Sequence, residues 1–267
     1  MAETRPDQDE LGLLTDTLRK TMSSATGREL DAALAGIGWP ELLAELPEVA
    51  VPLVFRLLGE TGAHAAVLDD VVRHRSGRPG PGPVPLPFAG AWVVWDRDGA
   101  PGATVDAELP LRTVATGVRL PEQACAAGRR ALGWWLLGTG HAMLSLARRH
   151  ALARTQFGRP LASFQAVRHR LAETLVALEG AEAALHNAED DFGALLGKAA
   201  AGQAALTAAR HCQQVLGGIG FTAEHDLHRH VRRTLVLDGL LGSSRELVRE
   251  AGAHIRAAGS APRLAQL

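Results

Sequence analysis

From Pro121 to Ala258 the sequence admits little except long helices, and no other feature limits the fold as tightly. Residues 122–153 read as one helix of about eight turns, opened by Pro121, whose missing N–H is no loss in a first turn. Arg148, Arg149 and Arg154 stand near its end, where cations suit the helix dipole. Apolar helical periodicity resumes over residues 164–190, 194–216 and 240–258. Long helices with short connections predict an antiparallel four-helix bundle. Composition agrees: Ala, Leu, Gly and Arg dominate and Tyr is absent, which favours helix over sheet.

The part before the bundle is also mainly helical. Leu11, Leu14 and Leu18 share one face of a first helix; Leu30, Ala33, Leu34 and Ile37 mark a second, ended by Gly38 and the Trp39-Pro40 step. Pro40 and Pro52 are expected in the first turns of short helices, and residues 53–74 in a further helix where Gly59 and Gly62 allow close contact or a break. Residues 76–90, SGRPGPGPVPLPFAG, hold too much proline and glycine for helix or a central strand and read as a linker. Short strands are expected at 91–95 and 113–119, with a turn at Arg97-Asp98-Gly99. The chain thus divides into an N-terminal helical segment (1–76), a linker with a small β segment (77–120) and a C-terminal helical bundle (121–267).

Several classes of function are excluded. A net charge of −1 gives no electrostatic case for nucleic acid or a membrane surface. No apolar run approaches the roughly 20 residues of a membrane span, and no secretory signal opens the sequence. Cys125 and Cys212 make no disulfide framework. A cytoplasmic protein is expected.

Two runs carry candidate chemistry. In Arg154 to Gln165, RTQFGRPLASFQ, an Arg follows a helix end, the chain turns at Gly158-Arg159-Pro160, and helix resumes near Ser163. In His211 to Gly220, HCQQVLGGIG, Gly217 and Gly218 stop a helix and bare main-chain N–H groups to an approaching ligand. Together they offer an Arg, the amides of Gln165 and Gln214 and an open glycine turn, groups suited to a diphosphate and an adenine ring.

R-x-x-F-G-x-P-L-x-x-F-Q followed by Q-x-x-G-G-x-G-F about fifty residues later resembles the C-terminal helical domain of flavin-dependent acyl-CoA dehydrogenases, over roughly residues 120–258. The resemblance implies FAD, with Arg154, Phe157, Gln165, Gln214, Gly217, Gly218 and Ser243 helping to hold it, largely for a neighbouring subunit across a dimer interface. It also marks where a proton-abstracting Glu belongs: Leu241 in LLGSS, or, in a subset of the family, near Gly128 in CAAGRR. Neither accepts a proton. Asp238, three residues upstream, reads as a polar residue of the turn before the last helix. The β segment is far shorter than the family's, without recognisable flavin-ring motifs.

This pattern, with the N-terminal phrase GWPELLAE…AVPLVFRLLGETGA, resembles the non-catalytic partner subunits of heteromeric actinobacterial steroid-side-chain acyl-CoA dehydrogenases. It implies a subunit that shares FAD with a homologous catalytic partner, which performs the dehydrogenation and binds most of the acyl-CoA. Two alternatives stay open: a homo-oligomeric enzyme with changed chemistry, which an internal acid such as Asp238 or Glu224 would favour, and a flavin-free scaffold. His225, His228 and His230 tempt a metal reading, but no cysteine or convincing acid set completes them, so no metal is expected. Cys212 reads as a packing residue, and Ser243 with Ser244 as the cap of the last helix.

Overall fold

A computed structural model of the chain describes residues 8–77, 83–96 and 105–262. The turn expected at Arg97-Asp98-Gly99 and residues 78–82 of the linker lie outside the described residues.

Five helices come first: α1 (Gln8–Ser24), α2 (Arg28–Ile37), α3 (Trp39–Glu45), α4 (Pro47–Thr61) and α5 (Val67–Ser76). Gly38 closes α2 and Gly62 closes α4, each in the left-handed conformation that L side chains resist. Pro40 sits in the first turn of α3 as expected. Pro52 does not: it lies inside α4, whose first turn is supplied by Pro47, because the helix begins one turn earlier than the apolar run suggests. At Gly59 the backbone of α4 meets that of a later helix, the long helix α6 described below. An added Cβ there would collide with Thr139 N and Trp135 O, and one at Gly138 with Arg56 O.

Three strands follow, β1 (Leu86–Phe88), β2 (Ala91–Trp95) and β3 (Leu111–Val114), paired antiparallel in the order β1-β2-β3. β1 arises inside the proline-rich linker and is an edge strand, where Pro87 withholds no interior ladder bond. β3 begins and ends earlier than the expected 113–119, since its register with β2 is fixed by Leu111 opposite Trp95.

The long helix α6 (Glu122–Ala153) has the bounds its sequence predicts. A hairpin of β4 (Thr155–Gln156) and β5 (Arg159–Pro160) and a short 3₁₀ turn (Leu161–Ser163) lead into α7 (Gln165–His186). The hairpin tip is Phe157-Gly158, both at positive φ, one residue before the expected turn. Helix α8 (Asp191–Leu216) starts at an Asp190 cap whose carboxylate accepts from Gly193 N, and so gains three residues over its apolar pattern.

The last expected helix, 240–258, needs the largest correction. A basic helix α9 (Leu227–Gly239) comes first, and α10 (Ser244–Ala258) starts only after a turn in which Leu241 and Gly242 take positive φ. Ser243 and Glu246 form a reciprocal capping box at its start, so the capping role expected of Ser243 holds.

The main core joins both halves of the chain. Trp39, Phe55, Trp135 and Trp95 follow one another from α3 through α4 and α6 to β2, the first two pairs edge-on and the last tilted, at centroid separations of 6.3, 5.8 and 6.0 Å. Helices α6, α7 and α8 pack side by side, with the small residues Ala201, Ala204, Ala205 and Ala208 of α8 buried among them. Buried Arg233 of α9 pairs with Asp106 and donates to Ala63 O at 3.1 Å, tying α9 to the α4–α5 corner. None of the described helices is long and apolar enough to cross a membrane.

Candidate functional site

Where α6 ends, α7 begins and α8 ends, the chain leaves an open cleft of about 650 Å³. Arg154, at the C-cap of α6, lines it together with Gln214, Gly217 and Gly218 of the α8 terminus. The structure therefore brings four of the seven expected cofactor residues to one place. Gly217 has φ 66°, and both glycines are exposed with nothing within 4 Å of an added Cβ, so the backbone here is open to a ligand.

The other three stand apart from the cleft wall. Phe157 is at the hairpin tip, 90% exposed, its ring edge-on to Phe164 at 6.3 Å. Gln165 begins α7 with its amide 3.4 Å from His169 Nε2. Ser243 lies at the N-cap of α10, where its hydroxyl is 2.8 Å from Glu246 Oε2.

Two cleft residues, His150 and Arg170, were not read from the sequence. Burial, with the ring of His225 and Arg154 close by, holds the His150 pKa below the ordinary imidazole value. Arg170 is steered by a relay: Thr174 Oγ1 donates to Arg170 O at 2.8 Å and accepts from His211 Nδ1–H at 2.9 Å. His211 Nε2 is then left to accept from Arg170 Nη1 at 3.2 Å. No acid lines the cleft among the described residues. The sequence did hold the signal: from Gln123 to Ala172 it has eight arginines and not one Asp or Glu. With two guanidiniums, an imidazole, the Gln214 amide and an apolar wall of Leu161, Val167 and Ile219, the cleft can hold an anion beside a flat apolar group.

At the other end of α6, the two candidate base positions meet. Leu241 is buried, and its Cδ1 lies 2.5 Å from where a Cβ on Gly128 would be, with Val72 Cγ2 at 3.1 Å. Leu241 thus fills the hollow that Gly128 leaves. The turn is braced from three sides: Leu241 N donates to Pro87 O at 2.9 Å, Arg129 Nε to Leu241 O at 3.1 Å, and buried Lys198 Nζ to Asp238 O and Gly242 O at 2.9 and 2.6 Å. Desolvation lowers the Lys198 pKa to about 8. Asp238 is occupied within this brace, accepting from Ser244 N at 3.0 Å.

The three histidines of the sequence do not converge. His225 Nδ1 accepts from Leu227 N at 3.1 Å, His228 Nδ1 lies 2.9 Å from His225 O, and His230 sits against Gly62, its pKa lowered to about 4 by burial. Cys212 is buried, its thiol pKa raised to about 12 by desolvation, as suits a packing residue.

Residues 115–255 match the family described as acyl-CoA dehydrogenase, C-terminal domain. Acyl-CoA dehydrogenase FadE34 of Mycobacterium tuberculosis is 36% identical over 216 residues, covering 70% of this chain and 29% of the relative. The chain spans about a third of the length of the curated relatives it matches. Among solved structures, the Tcur3481-Tcur3483 steroid ACAD (a variant form) aligns with a TM-score of 0.74 at 20% identity, over 94% of this chain and 99% of that one. A chain of the ChsE4-ChsE5 complex from Mycobacterium tuberculosis aligns at 0.67, also 20% identical, over 98% and 100%. The matched residues run from just after β3 into α10 and include both the cleft and the turn at Leu241, and the chain belongs to the acyl-CoA dehydrogenase family.

Proposed function

We propose that this chain is a catalytically incomplete acyl-CoA dehydrogenase subunit that lends its cleft to FAD at the interface with a homologous, catalytic subunit. The observation that carries the reading is a contrast along one helix. At one end of α6 a cleft with no acid among its described lining residues presents Arg154, Arg170, Gln214 and the Gly217-Gly218 backbone. At the other, both positions where the family keeps its base are closed by Leu241 packed on Gly128.

The cleft suits the diphosphate and adenine arm of FAD: guanidiniums for the phosphates, glycine N–H groups free of any Cβ, and an apolar wall for the ring. FAD, when bound, supplies the hydride acceptor for dehydrogenation. The matching α-proton needs a carboxylate within hydrogen-bonding reach, which Leu241 and Gly128 do not provide and which Asp238, held by Ser244, is not placed to replace. The base would come from the partner, which would also hold most of the acyl-CoA. Exposed Phe157, Phe221 and Ile219, on the hairpin and the α8 terminus that border the cleft, suit burial against such a subunit. Two structural neighbours are a steroid ACAD of two components and a two-protein complex, which supports a heteromer and a bulky, steroid-derived acyl group. The division into an N-terminal helical segment, a reduced β segment and the bundle belongs to this proposal, with the bundle as the flavin-contacting part.

Co-expression with a homologous dehydrogenase subunit, followed by flavin quantification, tests the reading. The expected result is a yellow complex and a colourless chain when purified alone. A chain that retains stoichiometric FAD without a partner, or oxidises acyl-CoA by itself, overturns it.

A further inference from the structure

Away from the cleft, His141 Nε2 of α6 is buried and makes no hydrogen bond. Across from it Glu179 and Glu182 stand one turn apart on α7, and one donor atom from each of the three side chains lies within 4.8 Å of the others. Arg56 of α4 donates to Glu182 Oε1 and to Glu60, which leaves Glu182 Oε2 facing the imidazole, 3.9 Å from Nε2. Glu60 is bridged by Arg56 and Arg19, Glu182 by Arg56, and Glu179 stands beside Glu182 and His141, so three carboxylates face two guanidiniums and one negative charge is left over. Burial, with Arg56 beside it, keeps the His141 pKa below the ordinary value, so its ring nitrogen has a lone pair to give near neutral pH.

We propose that His141, Glu179 and Glu182 form a zinc site that clips α7 to α6. An imidazole with two carboxylates matches Zn²⁺, whereas Mg²⁺ and Ca²⁺ prefer all-oxygen shells. Zinc bonds of about 2.0–2.2 Å put neighbouring donors about 3.4 Å apart, a closure of about 1.4 Å from the widest separation. Side-chain rotation covers that distance while the packed helices stay in place. Glu179 is exposed, so the remaining coordination position faces solvent and holds water. The competing account is an ion cluster centred on Arg56 that stitches α4 to α7 and binds no metal.

The test is calorimetric titration of zinc chloride into the metal-free, full-length chain at pH 7. One ion per chain with micromolar or tighter affinity is expected. His141→Ala and Glu179→Gln should each weaken binding at least about tenfold, with His254→Ala, on α10, unchanged. Glu179→Gln alters an exposed side chain and keeps the test decisive if His141→Ala does not fold. Absence of saturable zinc binding, affinity undiminished in Glu179→Gln, or magnesium bound as tightly as zinc would each overturn the proposal.

Discussion

Truncating Leu241 probes the packing that closes the candidate base position. The side chain is 2% exposed and rests on Gly128, which has no side chain to move into a vacated space, while Val72 closes the other side of the same hollow. Both neighbours belong to packed helices that cannot collapse far, so Leu241→Ala belongs in the upper part of the buried Leu→Ala range, about 3–4 kcal/mol. The backbone adds a second, opposite effect. Leu241 has φ 55°, a conformation that costs an L residue about 1–2 kcal/mol and glycine almost nothing. Glycine's greater unfolded-state entropy offsets about 0.4–1 kcal/mol of that relief. Leu241→Gly should therefore cost no more than Leu241→Ala and up to about 1.6 kcal/mol less, the reverse of their usual order. Urea unfolding with matched m-values measures both. An alanine variant destabilised by less than about 1 kcal/mol would refute the packing argument. A glycine variant clearly worse than alanine would refute the left-handed turn.

Three further outcomes are expected. Leu241→Glu should leave the isolated chain unable to reduce an acceptor dye with acyl-CoA, since it restores a carboxylate but no flavin-ring pocket; turnover by the variant alone would contradict the reading. Arg154→Ala and Gln214→Ala should each remove a hydrogen bond of about 1–3 kcal/mol, weakening FAD affinity of the assembled complex from about fivefold to over a hundredfold at unchanged helicity; equal FAD titration curves would count against both roles. For Lys198, the folded chain releases the proton near pH 8 and the unfolded chain near 10.5, so the unfolded state binds more protons between them. Stability should accordingly rise with pH across that window and the rise should vanish in Lys198→Met, as thermal melts in a pH series would report.

What was legible in the sequence follows from how local each signal is. The bounds of α6 and the end of α8 were readable because Pro121 and Gly217 act on their own backbone. Gly38 announced the end of α2 for the same reason, whereas at Gly62 the reading of close contact or a break is resolved as a left-handed break that splits the expected 53–74 helix. The start of α10 was not, because Leu241 looks like one more apolar residue of a helix and takes its positive φ only under bonds from Pro87, Arg129 and Lys198, all distant in sequence. Strand β1 was hidden by proline that an edge position tolerates. In the cleft, Arg154, Gln214 and the glycine pair came from spacing, whereas His150 and Arg170 enter through the meeting of three helix ends, which no spacing encodes. Phe157 and Gln165 are near these elements in sequence but make their contacts outside the cleft wall, and Ser243 caps α10.

The crossing of α4 and α6 at Gly59 and Gly138 acts as a rivet. Sliding either helix by one residue would place a Cβ where backbone already stands, so shear along α6 is blocked and only tilting about the contact remains. By helical rise the contact lies about 15 Å from Gly128 and about 24 Å from Arg154. Helix α6 is then a lever with unequal arms. A tilt of about 5° would carry the cleft end some 2 Å one way and the Leu241 end roughly 1 Å the other. A subunit pressing on the hairpin at Phe157 would thus be felt, reversed and diminished, at the Leu241 turn.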